Sequence, residues 1–358
     1  MSSEPKTIIV IGAGVLGLTA ALGLQHEYAE TRTILLVARD WPSDESVQYT
    51  SPWAGAHGRP MPATTPVEMQ HQEFAKITYA VMKAQAQEEP ACGVELMDGY
   101  DFIASPSDDH VNLRGGYGDA EGMTVLARHE FPRDMGINFG SKYRTWSLNS
   151  PVYCAFLLRK FLLRGGKTRK TTLMTAEEAF SLVPNVNTVV NCSGFGFGDP
   201  DVFPIRGQTV LVSNPCDRNI TQQNPDGTWT FIIPRPLEGG TVIGGTKEPH
   251  DWTATARPET RTKLLNMAAK MYPPILGPDG IGEFKVIRDI VGRRPARRGG
   301  LRLEIEQLQS KGPSFRGKTI IHAYGAEGHG YGLSWGIARE VVRMAGEADR
   351  HSTARPSL

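Results

Sequence analysis

Four arginines fall within six positions of the segment Val291-Gly-Arg-Arg-Pro-Ala-Arg-Arg-Gly-Gly300. A guanidinium is a planar fork that binds oxyanions through paired hydrogen bonds, so this segment suits a phosphate, a nucleic-acid backbone or a carboxylate. A surface ion-pair cluster is the competing reading. The chain carries 39 Lys+Arg against 38 Asp+Glu, and no aromatic residues interleave with these arginines, which argues against nucleic acid. A second stretch with chemical potential is Ile320-Ile-His-Ala-Tyr-Gly-Ala-Glu-Gly-His-Gly-Tyr-Gly-Leu-Ser-Trp-Gly336. It reads as a strand, a glycine-rich turn dense in backbone amides, and the start of a helix. Neither His322 nor His329 is read as a catalytic base.

The third such stretch lies near the N-terminus. The apolar run Thr7–Ile11 leads at once into Gly12-Ala13-Gly14-Val15-Leu16-Gly17 and then an apolar helical pattern. Gly12 permits the tight turn, Gly14 lets backbone approach a pyrophosphate, and Gly17 lets the helix pack on the strand. This is a dinucleotide-binding pattern. The next strand, Thr33–Val37, ends in Ala38-Arg39-Asp40. Asp40 suits ribose hydroxyls and Arg39 suits a ribose phosphate, so this segment alone leaves FAD and NADP both open. Thr50-Ser51-Pro-Trp-Ala54-Gly55-Ala56-His57 follows, with three small residues in a row that let a flat ring lie against backbone.

With Ser51–Ala56 the chain resembles the D-amino-acid oxidase family, which includes the D-aspartate oxidases. The resemblance extends to Asn191-Cys-Ser193-Gly194, Ile205–Gln208, Ile232–Pro234, Gly244–Thr246, the Arg294 segment and the C-terminal glycine loop. It implies FAD as cofactor, with a D-amino acid and molecular oxygen as small-molecule partners. The implied reaction moves a hydride from the substrate α-carbon to the flavin; the imino acid then hydrolyses to a 2-oxo acid and ammonia, and oxygen is reduced to hydrogen peroxide. In the family pattern Arg294 pairs with the substrate α-carboxylate and Gly328 offers a carbonyl to the amine. Gly330, Tyr331 and Gly332 face the flavin, Ser193 and Gly194 lie beneath it, and the backbone of Leu173 faces the adenine. For Leu173 a plain core role competes. Arg297 and Arg298 are read as structural. Phe231 departs from the pattern, standing where the family has a tyrosine that also touches the carboxylate. Lys247, after Gly-Gly-Thr, and His57 suggest a lean toward acidic substrates such as D-aspartate. A broad neutral D-amino-acid oxidase, an oxidase of glycine or secondary amines, and a non-catalytic NADP module are the alternatives.

These residues need elements to position them. Strand, glycine turn and helix patterns near both ends, with β-rich segments at 204–212, 229–235 and 241–246, predict an α/β fold. A discontinuous Rossmann-like FAD domain takes residues 1–57, 140–200 and 300–358. A substrate domain on an antiparallel sheet takes 58–139 and 201–299. Helices are expected over Glu68–Gln87 and Pro151–Leu163. Four scattered cysteines without a CxxC pair argue against a zinc site or a disulfide framework, and no metal is expected. No stretch is apolar enough to span a membrane, and the N-terminus lacks a secretory pattern. The Asn-x-Ser/Thr matches at Asn191 and Asn219 are read as accidental. The family is largely peroxisomal, although Arg355-Pro-Ser-Leu358 departs from Ser-Lys-Leu. Oligomeric state is left open, with a homodimer as one alternative.

Overall fold

The computed structural model describes residues 6–353. In chain order its strands are β1 Lys6–Ile11, β2 Arg32–Ala38, β3 Val94–Ile103, β4 Thr124–Val125, β5 Phe139–Leu148, β6 Lys167–Lys170, β7 Val186–Asn191 and β8 Val202–Val212; then β9 Arg218–Gln223, β10 Trp229–Pro234, β11 Thr241–Gly244, β12 Glu248–Pro249, β13 Val286–Arg297, β14 Arg302–Gln307 and β15 Thr319–Tyr324. Its helices are α1 Val15–Tyr28, α2 Pro66–Glu88, α3 Asp108–Val111, α4 Ser150–Leu163, α5 Pro258–Met271 and α6 Gly330–Thr353. None of them is long and apolar enough to cross a membrane.

The chain divides into two compact units. The first comprises Met1–Pro52, Cys154–Pro204 and Arg294–Leu358, and the second Trp53–Tyr153 and Ile205–Arg293. Against the bounds read from the sequence, residues 53–57 fall in the second unit and residues 201–204 and 294–299 in the first. Residues 140–153 also leave the dinucleotide unit where the sequence reading had put them. The reason is β5, which pairs antiparallel with β3 from Val94↔Leu148 to Ile103↔Phe139.

The first unit is built on a sheet ordered β14-β15-β7-β1-β2-β6. The pairs β1/β2, β1/β7, β2/β6 and β7/β15 are parallel, and β14 is antiparallel to β15. Its central strands are apolar along their length because both faces are covered; Ile8, Ile9 and Val10 are fully buried. Helix α1 buries Leu18, Ala20, Ala21, Leu22 and Leu24. Its Thr19 hydroxyl donates to the Ser334 carbonyl of α6 at 3.2 Å. A helix this apolar around its circumference has to lie inside the unit.

The second unit is built on a sheet ordered β12-β8-β11-β10-β9-β3-β5-β4, with β13 also paired to β8. Side chains alternate between its two faces. Ile220, Ile232 and Ile243 enter an apolar core with Leu264, Ala268 and Met271 of α5. Their neighbours Thr221 and Phe231, which are register partners, face the other way together with Gly244. That second face carries the polar groups described below.

Candidate functional site

In the first unit the glycine turn is forced by contact distances. Gly12 adopts φ +100°, and a Cβ there would lie 2.4 Å from the Cys192 carbonyl oxygen at the end of β7. A Cβ on Gly17 would lie 1.8 Å from the Gly12 carbonyl oxygen. Neither position admits a side chain. Helix α1 then starts after Gly14 with no side-chain cap and no acidic residue in its first turn. The Val15 amide donates to the Ser51 hydroxyl at 3.0 Å. First-turn amides and the positive end of the helix dipole favour an anion, so the cradle of Gly12, Ala13, Gly14, Val15, Leu16 and Gly17 fits a pyrophosphate. Tyr49, which sequence reasoning missed, pins this turn by donating from its hydroxyl to the Ala13 carbonyl at 2.7 Å. Burial raises its phenol pKa well above the usual value.

Arg39 and Asp40 follow β2 and bind each other, with Arg39 Nε and Nη2 on one Asp40 oxygen at 2.8 and 2.6 Å. Leu173 packs against the core that includes Ile9, Val37 and Val189. Ser193 and Gly194 close β7: the Ser193 amide donates to Asn191 Oδ1 at 3.1 Å, and Gly194 adopts φ +77°. Cys192 is a core thiol, pushed up to about 12 by burial. Asn191 and Asn219 are both buried within strands.

The arginine segment and the C-terminal loop meet within this unit. Ala296 and Ala326 form an antiparallel bridge, and the Glu327 amide donates to the Pro295 carbonyl at 2.9 Å. Consequently the half-buried Arg294 runs alongside Gly328, where a Cβ would sit 3.9 Å from Arg294 Cδ. Gly330 opens α6, which has no acidic residue in its first turn, and Gly332 has open space where a side chain would be. Tyr331 is a strut: its hydroxyl donates to the Ser51 carbonyl at 2.9 Å and lies 3.1 Å from Cys154 Sγ. Arg297 is tied down by Asp199, with Nε to Oδ2 at 2.9 Å. Arg298 is exposed, and its amide donates to the Asp201 carbonyl at 2.9 Å. His322 is a core histidine between Glu306 and Asn191, at 2.8 and 3.3 Å, with its pKa lowered by burial.

The second unit holds Ala54, Gly55, Ala56, His57, Phe231 and Lys247. A Cβ on Gly55 would come within 2.6 Å of Ile233 Cδ1, so this segment lies flat on β10. Buried Arg235 grips it, Nε to the Gly55 carbonyl at 3.1 Å and Nη2 to the Ala54 carbonyl at 2.8 Å. The His57 ring reaches Thr221 Oγ1 at 3.1 Å. Burial, and then the charge of Arg59, depress its pKa to about 3. His57 is thus a neutral ring. The Phe231 ring covers Gly244 and Gly245; a Cβ on Gly244 would stand 2.2 Å from its Cζ. Lys247 is exposed.

Sequence reasoning also missed the charged pair beside His57. Arg59 Nε contacts both oxygens of the fully buried Asp101, at 3.1 and 2.9 Å, and Tyr143 donates its hydroxyl to the same carboxylate at 3.0 Å. The Arg59 guanidinium lies over the Trp229 ring, 4.1 Å from its centroid. Its only sequence signal was that it stands two residues beyond His57.

A largely parallel sheet, a glycine turn under a helix without a side-chain cap of its own and a second helix starting in glycines define a dinucleotide-binding protein. The FAD dependent oxidoreductase family matches residues 7–344, and the chain belongs to it. A D-aspartate oxidase from Talaromyces thermophilus is 42% identical over 368 residues, covering 97% of this chain and 96% of that protein. A D-amino-acid oxidase from Schizosaccharomyces pombe is 31% identical, with 96% and 97% covered. Among solved structures, glycine oxidase from Bacillus cereus superimposes with a TM-score of 0.72 at 18% identity, covering 99% of each chain, which speaks to the fold. The cofactor is FAD, and the NADP alternative that Arg39 kept open falls away.

Proposed function

We propose that this enzyme oxidises D-amino acids, with D-aspartate its preferred substrate, to 2-oxo acids, ammonia and hydrogen peroxide, consuming oxygen and water. The observation that carries the reading is the junction of Arg294 with the Gly328 loop through the Ala296–Ala326 bridge. It sets a guanidinium beside a backbone turn, which suits a carboxylate and an amine carried on one carbon. Bound FAD supplies the hydride acceptor and the route for electrons to oxygen. Gly12–Gly17 would hold its pyrophosphate, with Ser51, Ser193, Gly194, Gly330, Tyr331 and Gly332 of the same unit around the rest.

Arg294 fixes the α-carboxylate through two parallel hydrogen bonds, and Gly328 accepts from the neutral amine, so two of the four Cα substituents are set. The N-terminus of α6, with no acidic residue in its first turn, favours negative charge near it. No side-chain base is required. The identity to a D-aspartate oxidase supports the acidic preference. The exposed Lys247 and the neutral His57 favour the second reading, a broad oxidase of neutral D-amino acids. We also place the enzyme in peroxisomes by its family; the C-terminal tetrapeptide lies outside the described residues.

The test is steady-state kinetics on D-aspartate, D-alanine and L-aspartate with wild type and Arg294→Gln. Wild type is expected to oxidise D-aspartate best and L-aspartate not at all. Arg294→Gln should keep its flavin absorbance and lose roughly 100-fold or more in kcat/KM, the cost of a bidentate charged contact. A strong D-alanine preference overturns the substrate, and an unaffected Arg294→Gln overturns the site.

A further inference from the structure

The face of the second unit's sheet opposite α5 carries buried polar atoms that have no hydrogen-bond partner among the described residues: Arg59 Nη2, both amide atoms of Asn219, and Thr209 Oγ1. The register places them around one residue. Phe231 is opposite Gly244, which is opposite Thr209; on its other side it is opposite Thr221, which pairs with Asp101. Asn219 lies two residues before Thr221 on β9 and so shares its face, and Arg59 covers Trp229, two residues before Phe231 on β10. A buried donor or acceptor without a partner destabilises the fold, and a charged one does so more. Three such residues on one sheet face mark a surface built for a ligand's polar groups.

Among these, Arg59 carries the charge. Its Nε edge is spent on Asp101, whose other hydrogen bond comes from Tyr143, and the indole of Trp229 fixes the guanidinium plane. The orientation is therefore set before any ligand binds, and Nη2 is left over. We infer that Arg59 is the specificity-determining residue that receives the side-chain carboxylate of an acidic substrate through Nη2, a role that neither His57 nor Lys247 fills. The inference rests on the acidic-substrate reading above. Asp101 neutralises part of the cation, and the discrimination rests on strength: a carboxylate oxygen accepts a charge-assisted hydrogen bond, an amide oxygen only a weaker one, and a methyl group none.

The experiment compares kcat/KM for D-aspartate and for its neutral isostere D-asparagine in the flavin-loaded enzyme. It uses wild type, Arg59→Lys, and the double variant Arg59→Gln with Asp101→Asn. The lysine keeps a cation for Asp101 and loses the outward NH. The double variant removes both charges together, so no buried charge is left alone. The D-aspartate to D-asparagine ratio is expected to fall roughly 10- to 100-fold in both, the worth of one charge-assisted hydrogen bond. Succinate, read by its perturbation of flavin absorbance, should bind more weakly while propionate is unaffected. A wild type without D-aspartate preference overturns the acidic-substrate reading and this inference with it. A wild type that prefers D-aspartate and a double variant that keeps the preference overturns the role of Arg59 alone.

Discussion

Arg235 holds Gly55 by its backbone: Nε donates to the Gly55 carbonyl at 3.1 Å while Nη2 reaches the neighbouring Ala54 carbonyl at 2.8 Å. Ala54, Gly55 and Ala56 have no polar side chains of their own, so a buried guanidinium from β10's end does the positioning. Replacing it by methionine fills the volume and leaves two carbonyls without these donors. Arg235→Met should lose roughly 2–4 kcal/mol, and the melting temperature should drop by roughly 3–5 °C. Arg235→Lys should recover part of that loss. Differential scanning fluorimetry on both variants checks it, and an unchanged midpoint would show that the grip is dispensable.

Local chemistry was legible in the sequence, and partnership across the sheet was not. The turn at Gly12 and the close packing at Gly17 are dictated by φ and by contact within one strand-turn-helix, so their spacing revealed them. Arg294 and Gly328 stood out because each sits in a dense motif. Ala38-Arg39-Asp40 stayed ambiguous because an arginine and an aspartate that bind each other look, in sequence, like two ligand-binding residues. Arg235, Asp101 and Tyr49 carry no motif. Their roles come from strands or loops distant in the chain, and the β3–β5 pairing that moved residues 140–153 to the other unit is likewise non-local. Asp101 reads as an unremarkable strand aspartate until Arg59, 42 positions away, is placed against it.

His57 makes stability depend on pH in a definite direction. Its folded pKa is depressed to about 3 by burial and by Arg59, below the ordinary 6.5. The unfolded chain therefore binds a proton that the folded chain refuses. The stabilisation is present above about pH 6.5 and is lost as pH falls toward 3. His110 and His322 are lowered too, with the same sign. Paired carboxylates such as Asp199, held at about 2 by the Asp201 amide, Arg297 and Tyr324 against the opposing effect of burial, act only at lower pH. Melting temperatures between pH 7 and 5 should thus decline less steeply in His57→Asn than in wild type. Parallel slopes would mean that His57 takes up its proton without resistance.

Asn219 offers the sharpest separation of stability from function. The residue is 1% exposed on β9, and neither its amide nitrogen nor its oxygen has a hydrogen-bond partner among the described residues. Burying an amide this way costs stability, whereas an apolar side chain of similar volume at the same place avoids the cost. Asn219→Leu should therefore be as stable as wild type or more so, by up to roughly 2 kcal/mol. If the face around Phe231 receives substrate, the same variant should raise KM for D-aspartate several-fold while its flavin absorbance stays intact. Thermal melts and steady-state kinetics on one preparation read both quantities. A gain in stability with unchanged KM would make Asn219 a neutral flaw in the sheet, while a loss of stability would mean that a bound water already satisfies the amide. A gain in stability joined to a raised KM is the result expected of a polar group kept unpaired for a ligand.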